Sequence, residues 1–498
     1  MNQKNLTKLI LFLILAWGAF WRLSHLGSYP PLNADEAALG YNAWSLVQTG
    51  QDEHGVSWPL HFKSFGDYKP GAYVYLIIPL IKFWGLSEWA IRLPSALLGV
   101  GILYLVYLLA KLVWKDKKLG LIWAGILSIS PWHLHFSRGG WESNVALFLI
   151  VLGVYLFFLF KLKGKKTLLV SGLCFALSMY TYHSARLIVP ALVLGLAFFN
   201  REFLFGKKKE VGRSLLLISL FLIPLAFSFL RGGASARFSG VGLMADSGPL
   251  WRANELRGQY SDPDGLIPTL LHNRYVLYSV SFAQKYFSHF SGEFLFISGD
   301  LVPRSKLPDM GLMHLVEVPL LLLGVYFWIR KKAKEKYLIG LWFLVAPLAS
   351  AMTFQAPSAL RSLGLIIPLS FLVATGITEL LKIKGKMIWL FLIIVGYLWG
   401  FVNWQNQYFV HYLKRLPSAW PDFRPVALEL KKEEGEVCVD WKYDQPYIMT
   451  LFYLQYPPEK IQKEISLTLP DEYGFSTVRS FGNYQFGDCS SFSGKIIK

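Results

Sequence analysis

Charge is scarce in this chain. Of 498 residues, 16% are charged against 54% hydrophobic, and the mean hydropathy is +0.39, which excludes an ordinary water-soluble protein and points to a polytopic membrane protein. Cysteine is scarcer still, at three residues. Cys174 lies within an apolar run and behaves there as a small apolar side chain. Cys438 and Cys489 share the C-terminal tail, where an oxidising compartment would allow a bridge that the sequence alone leaves open. No basic-aromatic module accompanies the net charge of +18, so the positive excess does not point to nucleic acid. There is no internal repeat and no low-complexity linker. The N-terminal apolar run continues into Trp17, Phe20, Trp21 and Arg22 without a small-residue cleavage site, and so reads as an uncleaved helix rather than a signal peptide.

What is present is a series of apolar runs, near 8–25, 90–112, 119–132, 144–160, 167–182, 187–200, 214–230, 311–329, 337–352, 362–381 and 387–402. Each suits a hydrocarbon core of about 30 Å, although two are short. The expectation is an all-α body of about 11 transmembrane helices. Basic clusters at 111–118, 161–166, 201–213, 330–336 and 382–386 alternate with turns at 133–142, 183–186 and 353–361 that hold one arginine each. The positive-inside bias then puts the N-terminus and all five clusters in the cytoplasm. Counting 71–86 as a further span would invert every later loop, so this segment reads as an interfacial or re-entrant helix, as Pro79, Lys82 and Trp84 suit.

That topology sends four pieces to the outer face: the loop 26–89, the turn 133–142, the stretch 231–310 and the tail 403–498. The tail alternates polar and apolar residues in EVCVDW and ISLTL, with turn signals at Pro457-Pro458 and Gly487-Asp488. It reads as a small extracytoplasmic α/β domain following a membrane domain of residues 1–402. Within 231–310, YFSHFSGEFLF reads as an interface-hugging helix.

The first loop carries Asp35 and Glu36 in PPLNADEAALGYNAW. Adjacent carboxylates at a membrane interface are costly unless paired or used. Near them in the outer pieces stand Asp52, Glu53, Asp67 and Lys69, then His133, His135, Arg138 and Glu142, and the isolated Arg92, Arg186 and Arg361. A carboxylate beside a cationic phosphate site can deprotonate a hydroxyl while the cations stabilise a departing phosphate. A phosphate leaving group needs no general acid. This pattern suits transfer of a sugar from a membrane-anchored phosphate carrier. It suits a nucleotide-sugar donor poorly, since no glycine-rich phosphate loop follows a strand.

A single first span, an outer Asp-Glu pair, the Lys-Pro of DYKPGAYVY before an aromatic apolar helix and then a polytopic body resemble the GT-C glycosyltransferases. The protein O-mannosyltransferases and the lipid A aminoarabinose transferases are the nearest in pattern, and the resemblance covers about residues 8–200. It implies an integral-membrane glycosyltransferase that takes a sugar from a polyprenyl-phosphate donor to a protein, lipid or glycan acceptor. It also implies Asp35 as catalytic acid/base with Glu36 beside it, Lys69 on the lipid phosphate, Glu142 as the acidic residue of the second outer loop and, in RSLGLIIP, Arg361 near the carrier phosphate. Gly71 replaces the second proline usual after the Lys-Pro, and no lectin-like insert is present, which favours a bacterial cytoplasmic membrane. No cofactor is expected.

Each role has a plainer competitor. An Asp-Glu pair at a helix start also favours the helix dipole. Lys69 can snorkel, and Arg92, Arg138, Arg186 and Arg361 reach either phosphate or a helix end. Asp52-Glu53-His54 is a rival acidic pair in the same loop, although its position after Thr49-Gly50 reads as a turn. His133 and His135, two apart on a helix, face different ways and are read as packing groups with no metal. A transporter or flippase is the alternative from another class, but it calls for ionisable groups near mid-span and an inverted repeat. Neither is evident.

Overall fold

The computed structural model describes residues 2–65, 67–230, 242–332, 334–469 and 476–497. Of the stretch 231–310, residues 231–241 therefore lie outside the described residues. The first half runs α1 (Gln3–Leu23), α2 (Ala34–Thr49), α3 (Ala72–Trp84), α4 (Glu88–Val113), α5 (Lys117–Ile129), α6 (Pro131–Ser137), α7 (Glu142–Lys163), α8 (Leu168–Thr181) and α9 (Ala185–Phe199). The sequence supplies their ends. Ser87 caps α4 through Ala90 N–H, Asp116 caps α5 through the N–H groups of Lys118 and Leu119, and Gly164 closes α7 in the left-handed region at φ 63°.

Each of the eleven apolar runs contains helix, although the 311–329 run is helical only from Glu317. Six helices among the described residues are long and apolar enough to cross a membrane: Gln3–Leu23, Glu88–Trp114, Glu142–Lys163, Lys208–Ser228, Leu363–Leu380 and Lys386–Arg415. Other runs form shorter apolar helices, such as Leu168–Thr181 and Ala185–Phe199. The 71–86 segment is the 13-residue α3, with Pro79 inside it. The last long helix runs through residue 403 to Arg415. The boundary expected at 402 thus falls inside a helix, because the apolar run ends before the hydrogen-bonded backbone does.

Helices 317–330 and 366–380 cross closely at Gly324 and Gly376, where a Cβ would run into the backbone of the facing helix. Arg22 of α1 is fully buried, but its guanidinium donates to the carbonyl oxygens of Gly18 and Leu127 and lies 2.7 Å from His133 Nδ1. A buried cation here ties α1 to α5 and α6.

The C-terminal unit holds a five-stranded sheet in the order β4-β5-β6-β3-β7, with β3 (Val437–Asp440) parallel to β6 (Tyr484–Gly487) and to β7 (Lys495–Ile497). Here β4 is Ser466–Leu467 and β5 is Val478–Phe481; β4-β5 and β5-β6 are antiparallel. Cys438 of β3 is disulfide-bonded to Cys489, just past β6. Among the described residues this unit shares its core with the first loop. Leu39 and Tyr41 of α2 and Tyr73 and Ile77 of α3 belong to the same apolar cluster as Val439, Ile448, Phe452 and Phe481. Polar ties reinforce it: Glu88 accepts from Arg424 Nη2 at 2.7 Å and from Tyr453 Oη at 2.7 Å, and Gln462 Nε2 donates to the Asp52 carbonyl at 2.9 Å.

Candidate active site around Asp35

Asn33 caps α2 with a reciprocal box, its Oδ1 accepting Glu36 N–H at 3.0 Å while Glu36 Oε2 accepts Asn33 N–H at 3.3 Å. Asp35 and Glu36 are therefore consecutive first-turn residues, separated by about 100° around the axis. That rotation gives them opposite fates. The Asp35 side chain is 34% exposed, and its Oδ1 accepts from Lys69 Nζ at 2.5 Å. Glu36 is buried, with Oε1 and Oε2 each 2.7 Å from Arg92 Nε and Nη2, and Oε1 also accepts Gly140 N–H at 2.8 Å.

Lys69 comes from a hairpin of β1 (His61–Ser64) and β2 (Asp67–Pro70), opposite Phe62, and its ammonium stands 4.7 Å from the Phe65 ring centroid. Its side chain is 10% exposed. The nearly buried ammonium thus meets a carboxylate that still faces water.

Three of the residues singled out in the sequence are engaged within the protein itself. Glu36 has both oxygens occupied by donors. Arg92 is fully buried, and besides its two bonds to Glu36 it donates to the carbonyls of Leu26, Pro30 and Pro31, which leaves no donor for a lipid phosphate. Arg138 is likewise buried, donating to the carbonyls of Trp21 and Ser24 with its guanidinium 5.1 Å from the Tyr408 ring. Both arginines organise the 26–33 segment from which Asp35 projects.

Glu142 opens α7, half-buried. Burial first, then the charges of Glu36 and Glu142, push the Tyr73 hydroxyl well above the usual phenol range. Arg361 is half-buried, donates to Thr353 Oγ1 at 3.2 Å and to the Gln355 carbonyl at 3.0 Å, and lines a cavity of about 30 Å³ with Ser143 and Tyr182. Arg186 lies 2.7 Å from His61 Nε2 and 3.1 Å from His183 Nδ1. His135 Nε2 is 2.9 Å from the Arg304 carbonyl. Among the described residues no group of three or more His, Cys, Asp or Glu side chains is arranged to hold a metal ion.

One neighbour of the pair is not legible as such in the sequence, and one carboxylate of the same loop is built otherwise than its sequence suggests. Arg304 places Nη1 3.9 Å from Asp35 Oδ2 and 3.2 Å from Asp444 Oδ2. An arginine within an outer stretch carries no local signal of such a meeting. Glu53, which the sequence assigns to a turn, is fully buried, and among the described residues neither carboxylate oxygen has a hydrogen-bond partner. Its neighbour Asp52 does make the turn, accepting His54 and Val56 N–H at 2.9 Å each.

Comparison with known proteins agrees with this architecture. The family model described as dolichyl-phosphate-mannose-protein mannosyltransferase matches residues 69–227. Archaeal oligosaccharyltransferase AglB from Archaeoglobus fulgidus, solved with an inhibitory peptide and a dolichol-phosphate, superposes with a TM-score of 0.54 at 13% identity, covering 91% of this chain and 64% of that one. ArnT from Cupriavidus metallidurans, bound to undecaprenyl phosphate, gives 0.54 at 12% identity, covering 90% and 84%. YycA of Bacillus subtilis (strain 168), a protein named for mannosyl transfer, is 26% identical over 243 residues. That match takes in 46% of this chain and only 32% of the relative's length. The shared fold and the six long apolar helices are those of an integral membrane protein. The chain shares its fold with these enzymes, and residues 69–227 match the mannosyltransferase family model.

Proposed function

We propose that the protein transfers a sugar from a polyprenyl-phosphate carrier to an acceptor on the outer face of the membrane, with inversion at the anomeric carbon. The observation that carries this reading is the half-exposed Asp35 carboxylate against the Lys69 ammonium at 2.5 Å. In this mechanism the acceptor hydroxyl gives its proton to Asp35 as its oxygen bonds to the anomeric carbon. The bond from that carbon to the phosphate oxygen breaks, and its electron pair leaves with the phosphate. Lys69 exchanges Asp35 for a phosphate oxygen and stabilises the added charge. Attack opposite the departing phosphate inverts the centre. Arg361 is a second cation of the rim, and Glu142 an acidic neighbour.

The reading includes eleven spans with the N-terminus and basic clusters in the cytoplasm, α3 at the interface and the C-terminal unit outside. A disulfide between Cys438 and Cys489 suits an oxidising compartment. The membrane is taken to be the bacterial cytoplasmic membrane, and the acceptor a protein, lipid or glycan. The test is to incubate the purified protein with a panel of polyprenyl-phosphate sugars and acceptor extracts, and to weigh the products. Release of polyprenyl phosphate from one donor, with a matching mass gain on an acceptor, is expected. No release across hexosyl and pentosyl donors would defeat the reading.

A further inference from the structure

Arg304 differs from the other arginines around Asp35. Arg92 and Arg138 are sealed among carbonyl oxygens, whereas the Arg304 side chain is 27% exposed and, among the described residues, only its Nη1 is engaged. Its backbone is fixed independently of the side chain, because its carbonyl lies 2.9 Å from His135 Nε2 and accepts from Tyr412 Oη at 3.0 Å. The guanidinium can swing about a pinned main chain. At 3.9 Å its approach to Asp35 is too long for a hydrogen bond, while at 3.2 Å its bond to Asp444 is a true one.

Asp444 belongs to the C-terminal unit and is presented rigidly. It and Gln445 are consecutive non-glycine residues in the left-handed region, at φ 49° and 58°, a strained conformation that persists where the surroundings over-determine it. The surrounding unit is held to α2 and α4 by Gln462, Tyr453 and Arg424. The Asp444 side chain is nonetheless 45% exposed. The charges thus run Lys69, Asp35, Arg304, Asp444, alternating in sign, with water reaching the last three.

We propose that Arg304 is an exchangeable ligand of the donor phosphate, held by Asp444 before the donor binds and released from it when the phosphate arrives. This rests on the proposed sugar-transfer reading. A phosphodiester donor carries one negative charge, and its product, a phosphate monoester, carries more. A guanidinium free to turn its planar fork onto that group favours the product-like transition state, and a bidentate pair with phosphate outcompetes a single-nitrogen bond to a half-exposed carboxylate. Asp444 acts only through Arg304, as a positioning residue. It keeps the arginine from collapsing onto Asp35, which would blunt the base.

The experiment measures binding of undecaprenyl phosphate to the detergent-purified full chain. R304M is expected to weaken binding about ten- to a hundredfold, with R304K between it and wild type. D444N is expected to tighten binding several-fold, D444E to restore the wild-type value, and D444N to have no effect in the R304M background. Weaker or unchanged binding in D444N, or the same change with and without Arg304, would overturn the exchange. If wild type itself fails to bind undecaprenyl phosphate, the sugar-transfer reading falls and takes this inference with it. Wild-type binding together with a flat R304M and D444N series removes the inference alone.

Discussion

The first loop holds two acid pairs, Asp35-Glu36 and Asp52-Glu53, that look alike in sequence and are built differently. In each pair the second residue is sunk into the protein. Glu36 arrives there with a guanidinium fork, a backbone N–H and its own cap residue, while Glu53 arrives with no hydrogen-bond partner among the described residues and with His54 Nε2 at 3.7 Å. In each pair the first residue is the more local: Asp52 spends itself on the turn, and Asp35 faces Lys69 and water. Burial alone therefore says little about a carboxylate's work. The partner decides.

The largest effect is expected at the exposed end of this comparison. Asp35→Asn keeps the shape and loses the basicity, so turnover should fall by about 10²–10⁴ while folding and binding of the lipid phosphate persist. Asp52→Asn should leave turnover within a few-fold and cost about 1 kcal/mol of stability through the turn it caps. Single-turnover rates at saturating donor separate the two. Near-normal rates in Asp35→Asn would move the base to Glu142.

Next comes the paired, buried end. Removing one partner of a buried ion pair leaves the other charge stranded, so Glu36→Gln or Arg92→Met should destabilise by about 3–5 kcal/mol. The readout is the yield of monodisperse protein and its thermal midpoint, not a selective loss of rate. A fully folded Glu36→Gln with abolished turnover would restore Glu36 to the chemistry.

These contrasts mark what the sequence could disclose. The apolar runs are legible because length and hydropathy are local properties; Asp35 and Lys69 stand out as candidates through their flanking residues, but their 2.5 Å contact is set by the hairpin that carries Lys69. The separation of Asp35 from Glu36 depends on which side of α2 meets Arg92, a fact of packing. Arg92 looks like a rim cation until its donors are counted against Glu36 and the carbonyls of Leu26, Pro30 and Pro31, and Arg138 until its burial against the carbonyls of Trp21 and Ser24 is seen. Arg304 and Asp444 meet through chain topology alone, since one lies in an outer stretch and the other beyond the last long helix. The C-terminal boundary is displaced for a related reason: hydropathy fades at 402, whereas the helix ends at Arg415.

The contrast that sharpens the comparison most concerns Glu53. Burial, with the Asp52 charge adding to it, pushes the Glu53 carboxyl up to about 8, against the opposing pull of the Lys69 ammonium. The fold thus holds a proton that the unfolded chain releases near its ordinary value of 4.5. Between those two values the unfolded state binds fewer protons, so stability falls as pH rises through the window and levels off above about 8. His54 titrates lower, at about 4, because burial and then the Lys63 charge disfavour its cation, and so it stays neutral throughout. Glu53→Gln copies the protonated form. It should match wild type near pH 5 and exceed it near pH 9, by an amount on the order of a few kcal/mol. Thermal midpoints at the two pH values in one detergent give the answer, and Glu36→Gln, losing stability at both, is the control. If Glu53→Gln is destabilised equally at both pH values, Glu53 is a paired carboxylate like Glu36, and the distinction between the two acid pairs disappears.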